Sequence, residues 1–258
     1  MNEGKRFSRR RLLRAAALGG ASWIVARDAR SARAFAANER LGVALVGVSG
    51  RGQWFVETIP RIGENVVALC DVNDARAAAA FAKFPDVPKF RDFRRMLDEH
   101  GARIDAMVVA TPDNTHAVIA AAAIRRGKHV YCEKPLTHDV AEARRLAELA
   151  AEHGVATQMG NQGTAKDGLR KGAALIKAGA LGTPKEVHVW TNRPIWPQGG
   201  TRPPAAPVPP NIEWDLWIGP APFRDYAVDA YHPFKWRGWW DFGTGALGDI
   251  GCHALDWP

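Results

Sequence analysis

Three short stretches carry residue types whose spacing suits chemistry. The first is Gly47-Val48-Ser49-Gly50-Arg51-Gly52, directly after an apolar run and ahead of a helix-like segment. Glycines there permit a tight turn and let backbone amides approach a diphosphate at the positive end of a helix. Ser49 stands where a middle glycine is usual, with Gly50 beside it. Asp71 follows nineteen residues after Gly52, at the end of a second apolar run. A carboxylate in that place accepts from both hydroxyls of a ribose and repels a 2′-phosphate, so NAD(H) is favoured over NADP(H). Asp71 taken alone also fits a turn or helix-capping aspartate.

The second stretch runs from Lys128 to Pro135. A short apolar strand, His129 to Cys132, meets the charged pair Glu133-Lys134, and Pro135 stops it because proline has no N–H for a sheet ladder. Lys134 is thereby expected at the carboxyl end of a parallel strand, where open α/β sheets bind ligands; a solvated Glu-Lys pair is the bland alternative. The third stretch, Gly243 to Asp256, holds Asp249 and His253 four residues apart, on one face if the segment is helical. An imidazole titrates near neutrality and takes a proton from a hydroxyl as hydride leaves the same carbon. A capping aspartate with a surface histidine is the alternative. No third ligand at suitable spacing is evident, so no metal is expected.

These stretches need elements to hold them. Apolar runs at Arg40 to Val46, Val66 to Cys70, Ile104 to Ala110, His129 to Cys132 and Val155 to Met159 read as buried strands. Between them lie helical patterns at Gln53 to Ile59 (stopped by Pro60), Asn73 to Phe84 with Asn73 as cap, Phe90 to His100, the stretch ending at Arg126, and Val140 to His153 with Gly154 as stop. Continuous apolar strands alternating with helices indicate βαβ units, an α/β fold with a doubly wound parallel sheet of Rossmann type. After a further helix, Gly163 to Ala178, the pattern changes. Glu186 to Thr191 alternates like a half-buried strand of a different sheet. Seven prolines then fall between Pro194 and Pro210, and seven of ten tryptophans between Trp190 and Trp240. Three cysteines (Cys70, Cys132, Cys252) make neither a disulfide framework nor a zinc pattern.

The glycine loop, Asp71, Ala110-Thr111-Pro112-Asp113, Glu133-Lys134-Pro135 and Asp249-x-x-x-His253 occur in the order of the Gfo/Idh/MocA oxidoreductases, which the chain resembles from about Leu41 onwards. The resemblance implies a catalytic set of Lys134, Asp249 and His253. Lys134 would hydrogen-bond the reacting hydroxyl, His253 would be the acid/base, and Asp249 would orient the substrate or the histidine. Thr111, Pro112, Glu133 and Asn161 fall where family members wrap the cofactor. A second domain is implied over 162–258, after a nucleotide-binding domain over 37–161. It would be α+β with an open, mostly antiparallel sheet, one face against the site and the other often used for homo-oligomerisation. Family members carry more of that sheet past His253, so a truncated sequence is expected.

On that resemblance the leading expectation is an NAD-dependent dehydrogenase acting on a secondary hydroxyl of a sugar, polyol or glycoside. Arg193, Trp236 and Trp240, with Trp190, Trp196, Trp239 and Tyr231, could supply stacking faces and hydroxyl contacts; core or subunit packing is the alternative for each tryptophan. A resemblance to glycoside hydrolase family 109 keeps open hydrolysis by transient oxidation and elimination. A binding protein that retains its cofactor without turnover is the third reading.

The formal charge of +8 invites a nucleic-acid partner, but residues 1–36 hold nine Lys/Arg against two Asp/Glu. The remainder is nearly neutral, and no basic cluster interleaved with aromatics looks like a nucleic-acid face. Residues 1–36 instead read as a leader: a basic stretch, a modest apolar run from Leu12 to Ala26, and small residues at Ala32 to Ala36 suited to cleavage. Ser8-Arg9-Arg10-Arg11-Leu12-Leu13-Arg14 resembles a twin-arginine signal. The twin-arginine translocase is therefore an expected partner and an exported, periplasmic location the expectation.

Overall fold

A computed structural model describes residues 40–255. The leader expected over 1–36 and the final Trp257-Pro258 lie outside the described residues.

Six parallel strands form one sheet in the order β3-β2-β1-β4-β5-β6. They are β1 (Gly42–Val46), β2 (Asn65–Cys70), β3 (Lys89–Phe90), β4 (Ala106–Val109), β5 (His129–Glu133) and β6 (Thr157–Gly160). The helices between them are α1 (Gly52–Arg61), α2 (Asp74–Lys83), α3 (Phe93–His100), α4 (Asp113–Ile124) and α5 (Val140–His153). Successive residues of a strand point to opposite faces, and β1 shows the consequence. Val43 and Leu45 pack with Phe55, Val56 and Ile59 of α1 and Ala77 and Ala80 of α2. Ala44 and Val46 pack on the other side, with Met96, Ile119, Ile124 and Leu149 of α3, α4 and α5. Both faces are covered, which is why the strands read as unbroken apolar runs.

Local chemistry sets the helix boundaries. Asn73 caps α2 by accepting from the Arg76 amide, Asp139 and Glu142 form a capping box on α5, and Gly154 closes α5 in a left-handed conformation. Of the boundaries that differ from expectation, two have a clear local cause. Pro60 lies inside the last turn of α1, and the helix continues to Arg61 because the Ile62 amide still reaches Thr58 O. The segment expected as a helix from Phe90 begins at Phe93, because Asp92 caps it and Lys89–Phe90 pairs with β2 as an edge strand.

Beyond β6, α6 (Asp167–Lys177) buries no residue. The strand expected at Glu186 to Thr191 does not form: the segment is exposed and has no ladder partner among the described residues. Alternation makes a strand only where a neighbouring strand supplies hydrogen bonds, and among the described residues the one bridge outside the parallel sheet, Asn73 with Ile212, lies elsewhere. The aromatic-rich part folds as a third cluster around α7 (Trp214–Ile218), a short 3-10 turn at Lys235–Gly238 and α8 (Gly245–Ala254). Trp214 stacks on Trp217 with centroids 4.6 Å apart, and its indole donates to Arg224 O. Most of these tryptophans are core.

That cluster is tied to the carboxyl end of the sheet. Glu213 N donates to Val72 O, Asn114 Nδ2 to Ile218 O, and the Thr244 amide and hydroxyl both to Asp113 Oδ2. Thr244 is the N-cap of α8, so Asp113, at the start of α4, fixes the helix that carries Asp249 and His253.

Candidate active site

Strand register builds the site's rim. Val46 lies opposite both Cys70 and Val109, and Val109 opposite Cys132. The residues that follow, Gly47, Asp71, Thr111 and Glu133-Lys134, therefore emerge side by side. They line one cavity of about 620 Å³, closed on the far side by Trp217, His232, Trp236, Arg237, Asp249 and His253.

The glycine loop shows why its residues are small. A Cβ on Gly52 would stand 1.8 Å from Gly47 O, and Gly47 itself has φ +78° with Ala110 O 2.6 Å from where its Cβ would be. The loop thus lies directly on the end of β4, and Gly47, Ser49, Gly50 and Arg51 face the cavity while Gly52 packs behind them. Asp71 is buried beside the loop. Its Oδ2 accepts from Val48 N at 3.0 Å and its Oδ1 from Asn73 N at 3.0 Å. Burial pushes its carboxyl up, and those two amides and the Ser49 hydroxyl pull against the rise. Two carboxylate oxygens offer about four acceptor positions, so a further donor from the cavity can be taken. A loop of this shape, with glycines where a Cβ would clash and a carboxylate at its far end, fits a dinucleotide.

Arg51 is held back from the loop. Its Nε donates to Glu133 Oε1 at 2.9 Å, and its guanidinium lies 4.8 Å from the Trp54 ring centroid. Thr111 and Pro112 face the cavity, with the Thr111 hydroxyl accepting from Thr115.

Lys134 Nζ donates to Asp249 Oδ1 at 2.8 Å and to Asp249 O at 2.6 Å. Arg237 Nε reaches the same Oδ1 at 3.3 Å. Burial alone would raise the Asp249 carboxyl, but the Lys134 ammonium, with Arg237 behind it, holds it below its ordinary value. Asp249 is thus ionised and grips the lysine. The histidine is oriented by another residue: Asn161 Oδ1 lies 2.6 Å from His253 Nδ1. The Asn161 amide nitrogen donates to Cys252 O at 2.7 Å, which fixes which end of the amide faces the ring. A carbonyl oxygen only accepts, so Nδ1 carries the proton and Nε2 presents its lone pair. Burial and the Lys134 charge lower the His253 pKa, against the opposing carboxylates of Asp249 and Glu133. The result is a neutral imidazole beside an ammonium, in the same cavity as the glycine loop.

Asn161, expected against the cofactor, is seen here holding the histidine; its place after β6 puts its side chain toward α8. Arg193 and Trp236 line the cavity. Trp240 does not: it is 80% exposed and lines a separate outer depression. The chain turns outward after the 3-10 segment, and Trp240 O accepts from His138 on the outer surface. Sequence reasoning passed over Arg237 and His232, and gave Asp113 no role beyond its place in the Ala110-Thr111-Pro112-Asp113 motif. Asp113 had a signal: Asp113, Asn114, Thr115 and His116 open an otherwise apolar, Ala-rich helix, and all four are buried.

Two family models match the chain. Residues 41–161 match one described as an oxidoreductase family with an NAD-binding Rossmann fold, and residues 165–258 match the C-terminal alpha/beta domain of the same family, GFO_IDH_MocA. Inositol 2-dehydrogenase 3 of Saccharopolyspora erythraea is 31% identical over 161 residues, covering 60% of this chain and 46% of that protein. Inositol 2-dehydrogenase 1 of Mycolicibacterium vanbaalenii is 36% identical over 160 residues, covering 61% and 46%. Among solved structures, an NAD binding oxidoreductase from Klebsiella pneumoniae superposes with a TM-score of 0.55 at 25% identity, over 84% of this chain and 51% of the other. The chain spans less than half the length of the curated relatives it matches.

Proposed function

The chain belongs to the Gfo/Idh/MocA oxidoreductase family, and from that premise we propose that it oxidises a secondary hydroxyl of an inositol-like polyol or sugar with NAD⁺. The observation that carries this is the pairing, in one cavity, of a dinucleotide-shaped glycine cradle with a neutral His253 and a gripped Lys134. The family description and the inositol dehydrogenases among the relatives support the choice of cofactor and substrate class.

Gly47, Ser49 and Gly50 would hold the diphosphate by their backbone amides, and Asp71 the ribose hydroxyls; its charge disfavours a 2′-phosphate. NAD⁺, when bound, supplies the hydride acceptor. Lys134 has three ammonium donors; two are committed to Asp249, and the third meets the oxygen of the substrate hydroxyl. His253 Nε2 takes the hydroxyl proton as the carbon gives up its hydride, so the alcohol becomes a carbonyl with one proton on the imidazole. The Lys134 charge stabilises the alkoxide character that develops on that oxygen. Asp249 keeps Lys134 in place. Trp236 and Arg193 form the wall against which a hydroxylated ring would lie.

The test is nucleotide titration by calorimetry followed by NADH formation on a panel of inositols, hexoses and aryl glycosides. NAD binding with a ketone product and stoichiometric NADH supports the dehydrogenase; glycoside cleavage with no net NADH would replace it with the redox-assisted hydrolase. Nucleotide binding without either product would leave a binding protein.

A further inference from the structure

His116 sits in the first turn of α4, 1% exposed and behind the cavity wall. Its Nδ1 lies 2.8 Å from Pro135 O, and its Nε2 lies 2.9 Å from Thr111 O. Both partners are peptide carbonyl oxygens, which accept and never donate. A neutral imidazole has a single N–H and would set its remaining lone pair against the other carbonyl at hydrogen-bond distance. Only the imidazolium satisfies both contacts, and an unsatisfied buried group is costly.

The surroundings agree with a buried cation. Asp113, three residues earlier on the same turn, is itself buried. Burial alone would lower the His116 pKa, but the Cys132 sulfur, the Asp113 carboxylate and the Pro135 carbonyl together push it up to about 10. The two carbonyls belong to the loop after β4 and to the turn after β5, the two loops from which Thr111 and Lys134 reach the cavity.

We propose that His116 is a positioning residue, a buried imidazolium whose two N–H groups pin the Thr111 and Pro135 carbonyls and so set where Lys134 stands relative to the Thr111 loop. This builds on the site reading above, in which Lys134 acts on the substrate oxygen. The charge is held below the site floor and touches neither substrate nor cofactor.

The experiment uses the full chain, labelled with ¹⁵N-histidine for the ring nitrogens and uniformly with ¹⁵N for the backbone amides. Both His116 ring nitrogens should resonate as protonated at neutral pH, assigned by their loss in His116→Gln. A single protonated nitrogen would overturn the proposal. His116→Gln retains one direction of donation, so the amide resonances of Thr111 and Leu136 should shift; unmoved amides in a folded variant would also overturn it. In turnover, a misplacement of about 1 Å predicts a kcat lower by about 10²-fold, with KM and the NAD Kd within about threefold. Unchanged kcat in a folded variant refutes the positioning role. Should His116→Gln not fold, Asp113→Asn replaces it: the His116 titration must move down, and an unmoved titration overturns the proposal. If the unaltered chain oxidises no polyol, the functional reading fails while the ring resonances and amide shifts still decide on His116.

Discussion

Replacing Lys134 with methionine tests the centre of the site without disturbing its packing volume. The substitution removes the ammonium that Asp249 Oδ1 and O receive at 2.8 and 2.6 Å, and leaves Arg237 at 3.3 Å as the carboxylate's remaining cation. The two side chains of the pair are 14% and 12% exposed. Exposed pairs contribute up to about 1 kcal/mol, and breaking a fully buried one costs about 3–5 kcal/mol. With Arg237 retained, Lys134→Met should destabilise the fold by about 2 kcal/mol at neutral pH. The pH dependence has a definite sign. Lys134 helps to depress the folded-state pKa of Asp249, so its contribution is fully present above the unfolded carboxyl value of about 3.9 and is lost as pH falls through the folded value. Urea unfolding of both proteins between neutral and acid pH, with NAD titration alongside, reads the difference. The penalty should be flat at neutral pH and shrink below about pH 4, with nucleotide still bound and turnover lost. A penalty under about 0.5 kcal/mol at neutral pH, or one that persists unchanged in acid, would refute the reasoning.

Three further outcomes are expected. Because burial and Lys134 depress His253, the acid limb of kcat/KM for alcohol oxidation should lie below the ordinary histidine value of about 6.5; a limb above it would remove His253 as the base. Gly52→Ala sets a methyl 1.8 Å from Gly47 O, which should cost about 1–3 kcal/mol and weaken NAD binding together; an unaltered melting temperature with full affinity would contradict the packing described. Lysines in place of Arg9 and Arg10 should block export of a folded reporter fused behind residues 1–36, and continued export would rule out the twin-arginine route.

Strands and helices were legible because each strand is buried on both faces and bounded by turn residues, a pattern that survives in one dimension. Asp71, the glycine loop and the end of β5 were legible for the same reason: each is defined by its place after a strand. Asp249 and His253 were legible as a pair on one helix. Their partners were not, since Lys134 lies 115 residues before Asp249 and Asn161 lies 92 before His253, and spacing carries no information across such distances. Hence the carboxylate expected to orient substrate or histidine holds the lysine, and an amide expected at the cofactor sets the tautomer. Trp240 shows the limit of composition: aromatic richness announced a packed cluster but not which ring faces outward. Glu186 to Thr191 shows the limit of periodicity, which needs a neighbour to become a strand. His116 was hidden by its setting, because a histidine's meaning depends on whether its two neighbours donate or accept.

The separation between Lys134 and Asp249 also has a meaning in time. Gly47 to Gly52, Asp71, Thr111 and Lys134 all leave the ribosome well before the helix that bears Asp249 and His253. At about 5–20 residues per second, the 115 intervening residues take roughly 6–23 seconds to synthesise. Throughout that interval the emerging chain has its nucleotide-facing residues but no carboxylate to hold the lysine and no imidazole to take a proton. On the proposed roles, hydride chemistry would wait for α8 to dock, so a chain could load its cofactor before it is able to consume it.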